Sequence, residues 1–379
     1  LRKQFTVNPS HQPFRREIAE NPTWLEPRLV YADWLEEQGN PLGEFIRTQI
    51  ALSEMSSTDP ARSKLESREL QLRRQFQKGW VRSVRPTCDR WEFRNGMIEG
   101  ISLSSERFLE RAEALFDDNP IRHCQFSGTR KHLRDLTDSF CLPQLESIDL
   151  AGESLGRWGS FQTYESERKL IEFLRCDGLS NICHLGLAGN LLNDGVLDII
   201  SENQFPRLDS LDLTQNVSIT TERLGTLLSQ YPIRNLRVSY TQHQNLIGDW
   251  RPESTREFAQ SIMLQSTLRE LGIGQRSFRF DHVGPEFDAA NTALERISLR
   301  GNPCFTGMIM ESTGISGLEP QVSHTDAERA MRNARSLIGN AERVDVSACL
   351  LLSKVMPSFL ETKGRKHLFN TATGACWHV

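Results

Sequence analysis

Asp149, His184 and Ser210 are, by residue type, the acid, base and hydroxyl of a nucleophilic triad. Types alone do not make one: the serine of such a triad sits on a sharp strand-to-helix elbow, beside backbone N–H groups that receive the oxyanion. No elbow motif surrounds Ser210, and the three residues fall on consecutive short strands of a parallel arrangement. Cys176, Cys183 and His184 are metal-ligand types, but their spacing is not that of a structural zinc site. A glycine-rich phosphate cradle is absent from the sequence. These residues point away from catalysis; the chain is expected to be no enzyme and to hold no metal or cofactor.

The elements that would position them come from an internal repeat. An apolar residue, two others, an apolar residue, one other and an apolar residue recur at Ile98/Ile101/Leu103, Ile121/Cys124/Phe126, Leu145/Ile148/Leu150 and Ile182/Leu185/Leu187. The pattern continues at Leu208/Leu211/Leu213, Ile233/Leu236/Val238, Leu268/Leu271/Ile273 and Leu294/Ile297/Leu299. Most middle anchors lie 23 to 26 residues apart, and two gaps are 35 and 37. A period of about 20–29 residues with this template is that of leucine-rich repeats, and the long gaps read as insertions on the far side. Within each strand the alternation sends apolar side chains inward and the others to the opposite face. Asn190, Asn216 and Asn302 follow their strands, where an amide can bond backbone groups of neighbouring turns. Glu106, Thr129, Glu153, Thr241 and Arg276 stand at that position elsewhere, so those turns are expected to be less regular. Residues 194–200 and 221–228 have helical spacing. The expected fold is therefore an α/β leucine-rich-repeat horseshoe solenoid over residues 95–350, similar to the ribonuclease-inhibitor class, with a small helical module before it.

In register, such strands present Asp149, His184, Asp212, Arg237, Tyr240, Glu270, Arg296 and Arg300 on one face. Asp149 and Asp212 come early, and Arg237, Arg296 and Arg300 come late, an acidic-to-basic grading that can steer a partner. Tyr240 near Arg237 adds two residue types enriched at binding hot spots. The competing account is a row of solvated strand residues, since many neighbouring positions are Ser, Gly or Ala.

Upstream, residues 13–82 read as a helical module with a linking helix. Asn21-Pro22 stops a first helix, Gly39-Asn40-Pro41 stops a second carrying Leu29, Val30, Asp33 and Trp34, and a third begins near Gly43. A fourth spans residues 62–78. Trp34 is expected in the core, and Asp33 is expected to pair with Arg28 or Arg47. The run from Pro27 through Tyr31-Ala32-Asp33-Trp34-Leu35 to Gly39-Asn40, then Glu44-Phe45-Ile46-Arg47-Thr48-Gln49, closely resembles the repeat-companion domain. That family is abundant in planctomycete bacteria and typically precedes leucine-rich or other short repeats. Gly79-Trp80-Val81, Trp91, Phe93 and Phe108-Leu109 continue its order, while Asn95-Gly96 replaces the usual Arg-Gly at one turn. The resemblance implies architecture, not a catalytic activity.

Composition fits this reading. Apolar residues make up 38% and charged residues 25%, which suits a folded chain rather than a disordered one. With 45 basic and 49 acidic residues the formal charge is −4, so neither nucleic acid nor a membrane is expected as partner. The eight cysteines include no Cys-x-x-Cys pair and read as free thiols in a reducing, cytoplasmic compartment. Residues 1–12 lack a signal-peptide pattern. Val344-Asp345-Val346 is a candidate ninth strand, and residues 351–379 read as a polar cap or flexible tail. The expected function is a scaffold for an unknown protein partner. The alternative is a regulator of an enzyme such as a nuclease or small GTPase, for which Arg276 is the sole turn arginine to consider.

Overall fold

Two backbone breakers, Asn21-Pro22 and Gly39-Asn40-Pro41, divide the N-terminal stretch into α1 (Gln12–Glu20), α2 (Glu26–Glu37) and α3 (Pro41–Glu54). This computed structural model describes residues 11–56, 59–156, 161–216, 218–238, 252–273, 293–298, 343–345, 367–370 and 375–378. Gly39 leaves α2 at φ +66°, a left-handed conformation that glycine adopts without a steric penalty. Pro41 does more than stop α2. It is the first residue of α3, where a missing N–H costs nothing, and the Asn40 side chain caps that helix by accepting from the Leu42 N–H. The third helix thus begins two residues ahead of the expected Gly43. A Cβ at Gly43 would stand 2.6 Å from the Ala32 carbonyl oxygen, so glycine is what lets α2 and α3 approach. Helix α4 (Arg62–Trp80) follows.

The chain forms two compact units, Leu1–Asp149 and Leu150–Val379. In the first, β1 (Arg90–Arg94) and β2 (Met97–Ser104) make an antiparallel hairpin. Asn95 and Gly96 turn it with φ of 46° and 81°, the paired left-handed conformation of a tight hairpin. The turn seats on α3: the Gly96 N–H donates to Gln49 Oε1 at 2.8 Å, and a Cβ at Gly96 would collide with Ile46. Parallel pairing then runs from β2 to β3 (His123–Ser127) and on to β4 (Ser147–Asp149), with α5 (Ser105–Asp118) and α6 (Leu133–Thr137) in the connections. The helical core joins Ile18, Tyr31, Ala32, Leu35, Ile46 and Ile50 to Met97 of β2, with Phe14 and Trp34 packed against it. Trp34 therefore serves packing. Asp33 pairs with Arg47, one of its two expected partners.

In the second unit β5 (His184–Gly186), β6 (Ser210–Asp212), β7 (Asn235–Arg237), β8 (Glu270–Gly272), β9 (Arg296–Ser298) and β10 (Arg343–Asp345) pair parallel in chain order. Helix α7 (Phe161–Leu174) precedes β5, and α8 (Asp194–Ile199), α9 (Thr221–Gln230) and α10 (Pro252–Leu264) lie in the next three connections. Helices α7 and α10 occupy the two long gaps of the repeat. Leu185, Leu211, Leu236, Leu271 and Ile297 are direct cross-strand partners, each nearly fully buried. Burial of such a side chain contributes about 1.5–3 kcal/mol, so this row is a principal source of stability. Strand β10 occupies the stretch read as a ninth strand. Within the tail stretch, β11 (His367–Asn370) pairs parallel with β10, and β12 (Ala375–His378) pairs antiparallel with β11. The fold is mixed α/β, with parallel strands joined through helices.

One charged cluster lies inside the first unit. Arg28 of α2 is fully buried, stands 2.7 Å from Glu99 Oε1 of β2 and donates to the Pro22 carbonyl at 3.0 Å. Arg122 reaches the same carbonyl at 3.4 Å, approaches Glu99 Oε2 at 3.9 Å and pairs with Glu146. Burial pushes the Glu99 carboxyl up, against the pull of Arg28, Arg122 and Arg94. It lowers Arg28 as well. Each charge therefore depends on the other, and deleting one strands its partner without water. Arg28→Met is expected to cost about 3–5 kcal/mol. Urea unfolding followed by circular dichroism measures it, and Arg28→Met combined with Glu99→Leu is expected to recover much of the loss. A single variant as stable as the wild type would contradict this account.

Candidate functional site

The exposed strand face of the second unit is built from its turns. Gly152, Gly189 and Gln215 leave their segments with φ of 76°, 66° and 66°, reversing the chain where a helix or strand would otherwise continue. Asn190 and Asn216 come next and are fully buried. Asn216 Nδ2 donates to the carbonyls of Leu187 and Leu213, each at 2.9 Å, while its Oδ1 accepts from the N–H of Asn190 at 3.1 Å and of Leu192 at 3.0 Å. Asn190 repeats the pattern one turn earlier. Its Nδ2 donates to Leu150 O at 2.7 Å and Leu187 O at 3.2 Å, and its Oδ1 accepts from Glu153 N–H at 3.0 Å. Each amide thus ties its own turn to the preceding one, as the sequence implied. Glu153, where asparagine was expected, has its backbone held by Asn190 instead. Asn302 lies outside the described residues.

With strand ends fixed this way, the face carries two cross-strand rows. His184, Ser210, Asn235, Glu270 and Arg296 form one, and Gly186, Asp212, Arg237, Gly272 and Ser298 form the other. His184 Nδ1 and Ser210 Oγ are 2.7 Å apart. Arg237 lies 3.9 Å from Asp212, and Arg296 pairs with Glu270. Of the early acids and late arginines, Asp212 and Arg237 are therefore lateral neighbours, while Arg296 stands beside the late acid Glu270, so these charges form adjacent opposite pairs rather than a grading. Asp149 belongs to the first unit, where Gln125 Nε2 donates to its Oδ2 at 3.1 Å. Tyr240, Arg300 and Arg276 lie outside the described residues. Asp209, which the sequence reading did not single out, adds a carboxyl beside His184. Burial pushes it up, opposed by Arg234, His184 and Arg207.

Five cysteines among the described residues are free thiols. Burial pushes Cys88 up to about 11, Cys141 up to about 12 and Cys124 well above the usual thiol range. Those three stay protonated and inert as nucleophiles near neutral pH. Among the described residues no three His, Cys, Asp or Glu side chains gather to hold a metal, and no helix is long and apolar enough to cross a membrane.

No family model matches the chain, and no curated protein does. Among solved structures the chain is similar to the leucine-rich repeat-containing protein LegL7 from Legionella pneumophila, at 14% identity and a TM-score of 0.39. That likeness covers 60% of this chain and 66%, just under two thirds, of the other. A second similar structure is the Rad7 and Elc1 complex in yeast, at 11% identity and a TM-score of 0.33, covering 91% of this chain and 95% of that one. Both likenesses are too slight to bear on fold or function.

The face rests on buried amides, which gives it a specific vulnerability. Asn216→Ala removes both donors and both acceptances and leaves buried backbone groups of two turns unpaired, at an expected cost of about 3 kcal/mol. Amide hydrogen exchange is the readout. Protection should fall at Asn190 and Leu192 well before it changes at Ile18 in the first unit, and uniform loss or none would contradict the role given to this side chain.

Proposed function

We propose that the chain is a non-enzymatic leucine-rich-repeat scaffold that binds a protein partner through its strand face. In this reading residues 95–350 are the repeat array and residues 13–82 a module of repeat-companion type, the latter resting on the sequence resemblance. One observation carries the proposal: buried Asn190 and Asn216 couple successive turns while the anchors from Leu185 to Ile297 stand in register. Stacked units of this kind leave one strand face open along the array, the surface such architectures use for binding. Small residues at Gly186 and Gly272 and half-exposed polar groups at His184, Ser210 and Asn235 support close contact with hydrogen bonding. The protonated, buried thiols are in keeping with a reducing, cytoplasmic setting. No observation among the described residues favours a regulator of a nuclease or GTPase over a plain scaffold.

Site-directed photo-cross-linking tests this. A photoreactive residue placed at Asn235 should capture a defined protein from lysate of the source organism, whereas the same residue at Glu222 on α9 should not. Arg237→Glu, which sets a like charge beside Asp212, should lower the Asn235 yield roughly tenfold. Equal capture from both positions, or no effect of Arg237→Glu, would refute the strand-face reading.

A further inference from the structure

The first unit contains a cleft of about 880 Å³ bounded by α1, α2, α5 and the turn after α4. Leu42, Trp80 and Pro86 give it an aromatic and apolar lining. Four arginines also line it: Arg15 from α1, Arg82 from the turn, and Arg107 and Arg111 one helical turn apart on α5. Two carboxylates, Glu110 and Asp118, stand against them. In a chain of net charge −4 this is a local reversal of sign. Residues 70–88 reinforce it, with Arg73, Arg74, Lys78, Arg82 and Arg85 and no Asp or Glu.

The guanidinium groups are held rather than consumed. Arg15 Nη1 donates to Asp118 Oδ1 at 3.1 Å, and Arg107 Nη1 donates to the Thr87 carbonyl at 2.8 Å and to Asp89 Oδ1 at 2.9 Å. Each guanidinium has five N–H donors, so these contacts orient it and leave capacity over. A carboxylate offers two oxygens in a plane. A phosphomonoester offers three tetrahedral oxygens and close to two charges, which suits arginines arriving from three separate elements. The cleft volume lies within the roughly 300–1,000 Å³ of small-molecule sites, with apolar lining left for the body that carries the phosphate.

We propose that this cleft binds a phosphomonoester, carried either by a free nucleotide-like metabolite or by a phosphorylated side chain of a protein. The site is made of residues of the first unit alone and stands without the scaffold reading. Calorimetric titration of the full chain with AMP and with a phosphoserine tripeptide tests it, with adenosine and the unphosphorylated tripeptide as controls. Saturable binding of at least one phosphorylated ligand is expected, weakened tenfold or more by Arg82→Ala/Arg111→Ala. Both substituted positions are exposed, and an unchanged thermal melt assigns the loss to the site. Glu110→Gln, which removes a carboxylate from the same wall, should strengthen binding. Tighter binding of AMP identifies a free metabolite, and tighter binding of the phosphopeptide identifies a phosphorylated protein. The Asn235 cross-linking yield in the double variant separates this proposal from the scaffold reading, because loss of phosphate binding should leave it unchanged. No saturable binding of either ligand, equal binding of adenosine and AMP, or full binding by the double variant overturns the proposal.

Discussion

A strand of three residues, such as β5 or β6, has too few backbone groups to hold its register against a neighbour by itself. In the second unit the deficit is met at the turn. Asn216 spends its two N–H bonds on the Leu187 and Leu213 carbonyls and its oxygen on the next-earlier turn, so two turns share one side chain. The amide is the right group for this work because it carries donors and an acceptor at once. A carboxylate could only accept, and an alkyl side chain would leave the backbone groups buried and unpaired. Once the turns are fixed, the leucine row packs as a continuous apolar layer and the opposite side chains fall into fixed rows. The exposed rows and the core are consequences of the same bonds.

The first unit solves a different problem in a different way. Its helices must be seated on a β-hairpin, and the contact is specified by a buried ion cluster as well as by apolar packing. Desolvating Arg28 and Glu99 is costly, and a hydrophobic pair of similar volume would often be as stable. What the charged pair adds is intolerance of misplacement. A shifted α2 would leave both charges in the interior without partners, whereas leucines would slide at small cost. The Pro22 carbonyl, exposed by the helix break at Asn21-Pro22, accepts from both Arg28 and Arg122 and ties that break to the same point.

These two solutions differ in how far they could be read in the sequence. The repeated anchors were legible because a two-residue alternation recurring every 23 to 26 residues has few other physical meanings. Asn190 and Asn216 were legible as amides at a fixed offset. The Asp33–Arg47 pair was one of two options, decided when Arg28 turned out to be committed to Glu99. Nothing local announces that commitment, because Glu99 lies in an apolar strand far along the chain. Strand β1 was obscure for a similar reason: Phe93 is its one buried side chain, set among the exposed Arg90, Glu92 and Arg94. The cleft was invisible because its arginines come from segments around positions 15, 82 and 107–111, which no window spans.

The strand face shows the same limit in its charges. Taken along the chain, the early Asp149 and Asp212 and the late Arg237, Arg296 and Arg300 suggest a long-range grading. Cross-strand pairing instead sets Asp212 beside Arg237 and Glu270 beside Arg296, so most of the field of these pairs closes on itself within a few ångströms. The net field along the face is then weak, and what distinguishes it is its shape and its hydrogen-bonding groups. Gly272 is central to that shape. A Cβ at this position would lie 3.3 Å from Arg237 Cγ, so the stem of Arg237 rests across the glycine while the side chain as a whole stays 63% exposed beside Asp212. The most accessible cation among the described residues of the face thus packs its stem over a glycine, and even a Cβ at position 272 would require that stem to give by a few tenths of an ångström.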